Sequence, residues 1–328
     1  MSRILIDAMG GDNAPGSVVE GAVLAKKSEK IESELVLIGN PEKLKPFKSE
    51  MEKHGIEFQE AEDEFGMDEK PSKVLRRKES SLYKGAEIVK NGEADAFISA
   101  GNTGGLLAVS TFVIGRIKGV PRPAIATPIP SIRGFTTFLD SGANLDCKLE
   151  NYLSFARMGI ALKRTEGVKN PKVGILNVGA EKDKGTEIIK QAHNLLTEKL
   201  AEQFIGFVEG RDITLGDVDV VVTDGWSGNI ALKSMEGVAK LIMKMLKESI
   251  MSGGVLSKMG AVLLKSTFDD LKRKMDSRNT GGGYIIGVNS PALKAHGNSD
   301  DVAIYNAIRV AEEGIRYKIV ERIRNAVN

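Results

Sequence analysis

The chain has 328 residues with 46 Lys and Arg against 44 Asp and Glu, a formal net charge of +2, so it lacks the basic excess expected of a nucleic-acid binder. Apolar residues at 41% and charged residues at 27% fit a folded protein with a core and exclude a disordered or fibrous one. Glycine stands out, with 36 residues, and the excess falls in short motifs rather than in a linker.

Apolar runs at 3–7, 35–39, 56–59 and 94–99 predict buried strands, and segments of helical period at 14–28, 41–54 and 80–91 separate them. Asp7 and Asp12 interrupt the N-terminal segment, which leaves no apolar run of signal-peptide length and predicts a cytoplasmic location. Residues 96–115 carry no charge and approach the ~20 residues of a membrane span. Their centre is Gly101-Asn-Thr-Gly-Gly105, so the expected reading is a buried strand, a glycine turn and a buried helix. Further strands are predicted at 124–127 and 134–140. Cys147 is the single cysteine, which excludes an intramolecular disulfide and a thiolate metal site and points to a reducing compartment.

A helix at 149–165, a strand at 172–177, a helix at 185–200 and strands at 203–208 and 219–223 continue the alternation. Residues 228–274 then read as Met- and Leu-rich helix broken near Ser252-Gly-Gly254, and 300–328 as one final long helix. Within this region Val238, Leu241, Ile242, Met245 and Leu246 form an i, i+3, i+4, i+7, i+8 stripe. The pattern predicts a three-layer α/β/α protein with a mostly parallel sheet, one continuous unit over 1–328 with a C-terminal helical pair inserted at 228–275.

One theme recurs four times: a strand ends, a turn rich in Gly, Asn, Asp, Ser or Thr follows, and a helix begins. The turns are Asp7-Ala-Met-Gly-Gly-Asp-Asn-Ala-Pro15, Ser99-Ala-Gly-Asn-Thr-Gly-Gly105, Asn177-Val-Gly-Ala-Glu-Lys-Asp-Lys-Gly185 and Thr223-Asp-Gly-Trp-Ser-Gly-Asn229. None matches the Walker or the dinucleotide glycine pattern. In an open α/β sheet such turns gather at the carboxyl edge, where backbone N–H groups favour anions. With Lys182 and Lys184 adding positive charge, the cleft suits a small oxyanion such as phosphate.

On DAMGGDNAP from Asp7, VLRRKESS from Val74, ISAGNTGG from Ile98, GRIKGVPRPA from Gly115, LDSGAN from Leu139, LNVGAEKDKG from Leu176, VVTDGWSGNIALK from Val221 and KAHGNSD from Lys294, the sequence resembles the bacterial phosphate acyltransferase family, PlsX, over essentially its whole length. Leu149 and Trp226 depart from the family pattern, which has proline and phenylalanine there. The resemblance implies an α/β/α fold similar to phosphotransacetylases and isocitrate-dehydrogenase-like enzymes. It also implies a homodimer and transfer of a long-chain acyl group from acyl carrier protein to inorganic phosphate, feeding a membrane glycerol-3-phosphate acyltransferase, with peripheral membrane association in some members. The alternatives are a phosphotransacetylase acting on short acyl-CoA and a non-catalytic membrane scaffold.

Attack of phosphate on a thioester needs no cofactor, metal or protein nucleophile, because phosphate is the nucleophile; the protein must orient it and stabilise the oxyanion. Lys184 pairs with phosphate or is a solvated helix-start lysine. Asn229 donates to the oxyanion, Asn102 and Asn229 alternatively cap the helices after them, Asp7 contacts substrate or holds the first loop, and His296 protonates the leaving thiol or bonds nearby backbone. The expected substrate-binding set is Asp7, Gly10, Gly11, Gly101, Asn102, Thr103, Gly104, Asn177, Gly179, Gly225, Ser227 and Gly228. His54 and His193 lie in ordinary helix patterns and have no expected role, and Cys147 lies beside no base. An acidic carrier protein calls for a basic docking face, for which Lys73, Arg76, Arg77 and Lys78, or Lys272, Arg273, Lys274 and Arg278, qualify. Leu256, Met259, Val262 and Leu263, with Lys258 and Lys265 beside them, are candidates for membrane contact, the alternative being a dimer interface.

Overall fold

The computed structural model describes residues 1–28, 30–275 and 277–328; the side chains of Val255, Leu256, Lys258, Lys272, Met275 and Ser277 also lie outside the described set. Strand and helix alternate as the sequence predicts: β1 (Arg3–Asp7), α1 (Gly16–Lys27), β2 (Glu34–Gly39), α2 (Pro41–Leu44), α3 (Lys48–Lys53), β3 (Glu57–Glu60), α4 (Ser81–Lys90), β4 (Ala96–Ser99) and α5 (Thr103–Val109). The uncharged segment 96–115 is thus a strand, a turn and a helix that ends in a π-helical stretch, Ser110–Gly115. No helix among the described residues is long and apolar enough to cross a membrane.

The hairpin β5 (Ala124–Ser131) and β6 (Gly134–Leu139) leads into α6 (Leu149–Thr165), β7 (Val173–Leu176), α7 (Glu187–Lys199), β8 (Phe204–Val208) and β9 (Val220–Val222). The Met-rich region is α8 (Gly225–Ser252), α9 (Val255–Leu263) and α10 (Lys265–Met275), with the expected break at Gly253-Gly254 and a second at Leu264. Two strands absent from the sequence reading follow, β10 (Gly283–Ile286) and β11 (Ala292–Lys294), and their brevity hid them. The predicted single helix at 300–328 is instead α11 (Asp301–Arg316) and α12 (Ile319–Val327), broken where Lys318 adopts φ 51°. That left-handed conformation ends one helix and turns the next back against α6.

All eleven strands form one sheet in the order β3-β2-β1-β4-β11-β10-β5-β6-β9-β7-β8. Antiparallel pairing is confined to β11–β10, β10–β5 and β5–β6. One face of the β1 half packs against α1 and α11 through Ile4, Ile6, Ile98 and Leu293, and the other against α4 and α5 through Leu5 and Phe97. In the β6 half, α6, α7 and α12 cover Leu139, Val220 and Val222, while the start of α8 lies over Phe138 and Val221. Helices on both faces explain why the strands read as continuous apolar runs.

Candidate active site

The antiparallel strand β10 reverses the sheet, so β6, β9, β7 and β8 run opposite to β1, β4 and β11. Register then brings the two carboxyl edges to one level. Ser99 lies opposite Lys294, Lys294 opposite Gly283, Tyr284 opposite Ala126, and the next residue, Thr127, opposite Phe138 near the end of β6. Loops from both half-sheets therefore meet beside β5, the reversal point at which open α/β sheets bind ligands.

The first wall is built by β1, β4 and β11. Strand alternation sends Ile6, Ile98 and Leu293 into one core and leaves Asp7, Ser99 and Lys294 on the opposite face. Ser99 Oγ donates to Asp7 Oδ2 at 2.7 Å, the Met9 N–H donates to Asp7 Oδ1 at 3.1 Å, and the Gly101 N–H donates to Ser99 Oγ at 3.0 Å. Burial pushes the Asp7 carboxyl up, and the bond from Ser99 pulls against it. Gly10 is required by close approach: a Cβ there would lie 2.6 Å from the Gly101 nitrogen and 2.8 Å from Asp7 Oδ2. Gly11, at φ +106°, turns the loop so that the Asp12 N–H donates to Gly297 O at 2.7 Å.

Lys294 projects from the end of β11, its Nζ donating to Ala100 O at 3.1 Å and to Ala295 O. Burial pushes its ammonium down to about 8, against the attraction of Asp7 and Asp12 and with the repulsion of Lys233. His296 is likewise pushed down by burial, with Glu236, Lys233, Lys294 and Lys240 as its charged neighbours. Residues of α8 thus face the β11 loop, which places the two walls within electrostatic reach.

The second wall follows β6. Asp140 is fully buried and accepts five hydrogen bonds, from the N–H groups of Ile125, Gly142, Ala143 and Asn144 and from Asn144 Nδ2, at 2.7 to 3.1 Å. Burial pushes its carboxyl up, and the donors at Ala143 and Asn144 pull it back. Helix α8 docks on this loop. A Cβ on Gly225 would lie 2.7 Å from Asn144 O, and one on Gly228 only 1.9 Å from Asp140 O. Asp224 caps the helix by accepting from the Ser227 N–H at 2.7 Å and from Ser227 Oγ at 3.1 Å. Asn229 is exposed, its Nδ2 beside Gly142.

Several residues of the expected substrate-binding set hold their own loops, Asn102 as the helix cap that was its alternative role. Asn102 caps α5 through the Gly105 N–H at 2.9 Å and braces the 66–69 loop by donating to Met67 O at 2.7 Å and Glu69 O at 2.9 Å. Gly104 gives room to Pro71, which would lie 2.3 Å from a Cβ. Thr103 is exposed on the first turn of α5. Asn177 holds its own loop by donating to Gly179 O at 3.0 Å and Lys184 O at 3.3 Å. That loop follows β7, two strands beyond β6, with Lys184 exposed on it and Gly179 packed beside Glu181.

The structure also brings Ser99, Lys294, Asp140, Asn144 and Lys233 to these walls, none of them among the residues expected at the site. All five lie inside the motifs that carry the family resemblance, but their positions here depend on pairings between distant parts of the chain. Among the basic clusters, Arg77 is taken by Asp63 and Glu69 and holds the Asp63 carboxyl below its usual range. Lys73, Arg76 and Lys78 remain exposed. Arg273 and Lys274 pair with Asp270, Arg278 pairs with Asp300, and the Lys272 side chain lies outside the described residues. His54 bonds Glu50, and His193 packs on Phe204 and Phe207. Burial pushes the Cys147 thiol up to about 12, which suits an inert thiol.

A family described as "Fatty acid synthesis protein" matches residues 2–322. The chain is 48% identical to a phosphate acyltransferase of Thermotoga neapolitana, over 99% of this chain and 97% of that protein. It is also 48% identical to a phosphate acyltransferase of Thermotoga maritima, with the same coverage. Among solved structures, a phosphotransacetylase from Streptococcus pyogenes matches with a TM-score of 0.63 at 16% identity, covering 96% of this chain and 94% of that one. A branched-chain phosphotransacylase from Enterococcus faecalis matches at 0.59 and 13% identity, covering 96% and 99%. These two likenesses concern the fold.

Proposed function

The chain belongs to the fatty acid synthesis protein family and is a phosphate acyltransferase, and from that premise we propose that it transfers a long-chain fatty acyl group from acyl carrier protein to inorganic phosphate, giving acyl phosphate for glycerophospholipid synthesis. The observation that carries this reading is the register that brings two opposed carboxyl edges to one level, with glycine loops and the neighbouring cations Lys294 and Lys233 beside them. A phosphate oxygen attacks the thioester carbonyl, the C–O bond forms, the C–S bond breaks, and the thiolate leaves with the electron pair. Orientation and charge stabilisation suffice for this step. Lys184 and Asn229 approach the phosphate from the β7 and α8 loops, and His296 stands by the leaving sulfur.

Exposed Lys73, Arg76 and Lys78 support docking of an acidic carrier protein, because the 3-10 helix Pro71–Arg76 packs directly on α5 at the cleft. The α8 stripe Val238, Leu241, Ile242 and Met245 is more than half exposed on the isolated chain and is assigned to a second copy in a homodimer. Met259, Val262 and Leu263 on α9 are assigned to peripheral contact with the cytoplasmic membrane, where a glycerol-3-phosphate acyltransferase takes the lipophilic product; the Leu256 and Lys258 side chains lie outside the described residues.

The test incubates purified protein with phosphate and either palmitoyl-ACP or acetyl-CoA, trapping acyl phosphate as hydroxamate. Palmitoyl hydroxamate is the expected product. Acetyl hydroxamate alone would favour the short-chain phosphotransacetylase reading, and no product from either donor would favour a scaffold.

A further inference from the structure

We propose that Lys294 is the cation that holds the nucleophilic phosphate in the cleft, an inference that rests on the acyl-transfer reading above. Lys294 lies at the carboxyl end of β11, level with Ser99 on β4, beside the loops in which Gly10 and Gly101 approach each other. An ammonium has three donors. Two are spent on main-chain carbonyls, Ala100 O at 3.1 Å and Ala295 O, one from each flanking loop. These anchors fix the nitrogen in place without neutralising it, because a carbonyl carries no net charge. Lys294 forms no ion pair among the described residues, so its third donor and its charge are left for a ligand.

The surroundings define that ligand as a small, multiply charged anion. Burial disfavours the ammonium, Lys233 repels it, and the nearby Asp7 is itself a buried carboxyl held by Ser99 and the Met9 N–H. Asp7 and Asp12 attract the ammonium from a distance without forming an ion pair with it, and a phosphate dianion at the third donor adds a charge-assisted bond. Attack by the dianion on the thioester yields the acyl phosphate monoanion and the thiolate, so charge balances with no proton taken from Lys294. Its role is to bind and orient the nucleophile.

The test measures the KM for inorganic phosphate and for the acyl donor, together with kcat, in the wild type, Lys294→Met and Lys294→Arg, from pH 6.5 to 9.5. Lys294→Met is expected to raise the phosphate KM by about 10-fold or more, as loss of a charge-assisted hydrogen bond should, and to leave the acyl-donor KM within about 2-fold. In the wild type the phosphate KM should climb above about pH 8, where Lys294 loses its proton. The other charged groups facing it are Asp7 on β1, Asp12 after it, Lys233 on α8, and the neighbouring His296 with Glu236 and Lys240. Lys294→Arg keeps the charge at every pH, so its phosphate KM should lack that climb even if Lys294→Met fails to fold. An unchanged phosphate KM in folded Lys294→Met, or an alkaline climb that persists in Lys294→Arg, overturns the proposal. Absence of acyl phosphate from the wild type would instead overturn the acyl-transfer reading, and binding of inorganic phosphate to wild type and Lys294→Arg but not to Lys294→Met, read by calorimetry, would still support the site.

Discussion

Gly228→Ala probes the contact that seats α8 on the Asp140 loop. A Cβ at Gly228 would stand 1.9 Å from Asp140 O, whereas carbon and oxygen in close contact sit at about 3.3 Å, so the backbone must open by about 1.4 Å. That oxygen is main chain at the end of a buried strand and has no rotamer to yield. Overpacking of this kind costs roughly 1–3 kcal/mol, which at ~2–4 °C per kcal/mol lowers the melting temperature by several degrees. The same movement displaces Asn229 and Lys233 on the first turns of α8, and a misplacement of about 1 Å costs on the order of 100-fold in rate. The control is Gly237→Ala on the same helix, where a Cβ meets nothing within 4 Å; the better helix former should stabilise by roughly 0.5–1 kcal/mol. Thermal unfolding and kcat/KM for acyl phosphate formation read both variants. If Gly228→Ala matches Gly237→Ala in both measurements, the docking argument is wrong.

Asp140→Asn places an amide NH2 among five groups that are all donors, so a loss of roughly 2–3 kcal/mol is expected in chemical denaturation; wild-type stability would refute the assignment of those bonds. Lys184→Ala should weaken phosphate use about 10-fold if the lysine makes a charge-assisted bond to it, and an unchanged phosphate KM and kcat would remove Lys184 from the site. Leu263 is 83% exposed, so Leu263→Glu should reduce co-sedimentation with anionic liposomes while leaving solution acyl transfer and dimerisation nearly intact. A broken dimer would place Leu263 in an interface instead.

Much of the architecture was legible because it is written locally. A buried parallel strand is a short apolar run, its helix has a 3.6-residue period, and a glycine turn between them marks the carboxyl edge, so nine strands and four turns could be placed from the sequence alone. Whole motifs such as ISAGNTGG and KAHGNSD carried the family resemblance for the same reason. Strands β10 and β11 escaped, since Gly283–Ile286 and Ala292–Lys294 are too short to show a period and become strands by pairing with β4 and β5. The break at Lys318 escaped too, because neither glycine nor proline marks it.

The division of labour inside the motifs belonged to the tertiary structure. Sequence alone marked Lys184 as a phosphate-pairing cation and Asn102 and Asn177 as substrate-binding donors in glycine turns, and left Lys294 as one residue in a C-terminal motif. Folding spends the Asn102 and Asn177 carboxamides on loops that lie far away or close on themselves. It anchors Lys294 by carbonyls from two loops, one of them 194 residues away. Whether a donor remains for a ligand depends on which partners the rest of the chain brings to it, and those partners arrive through strand pairings that no local pattern encodes.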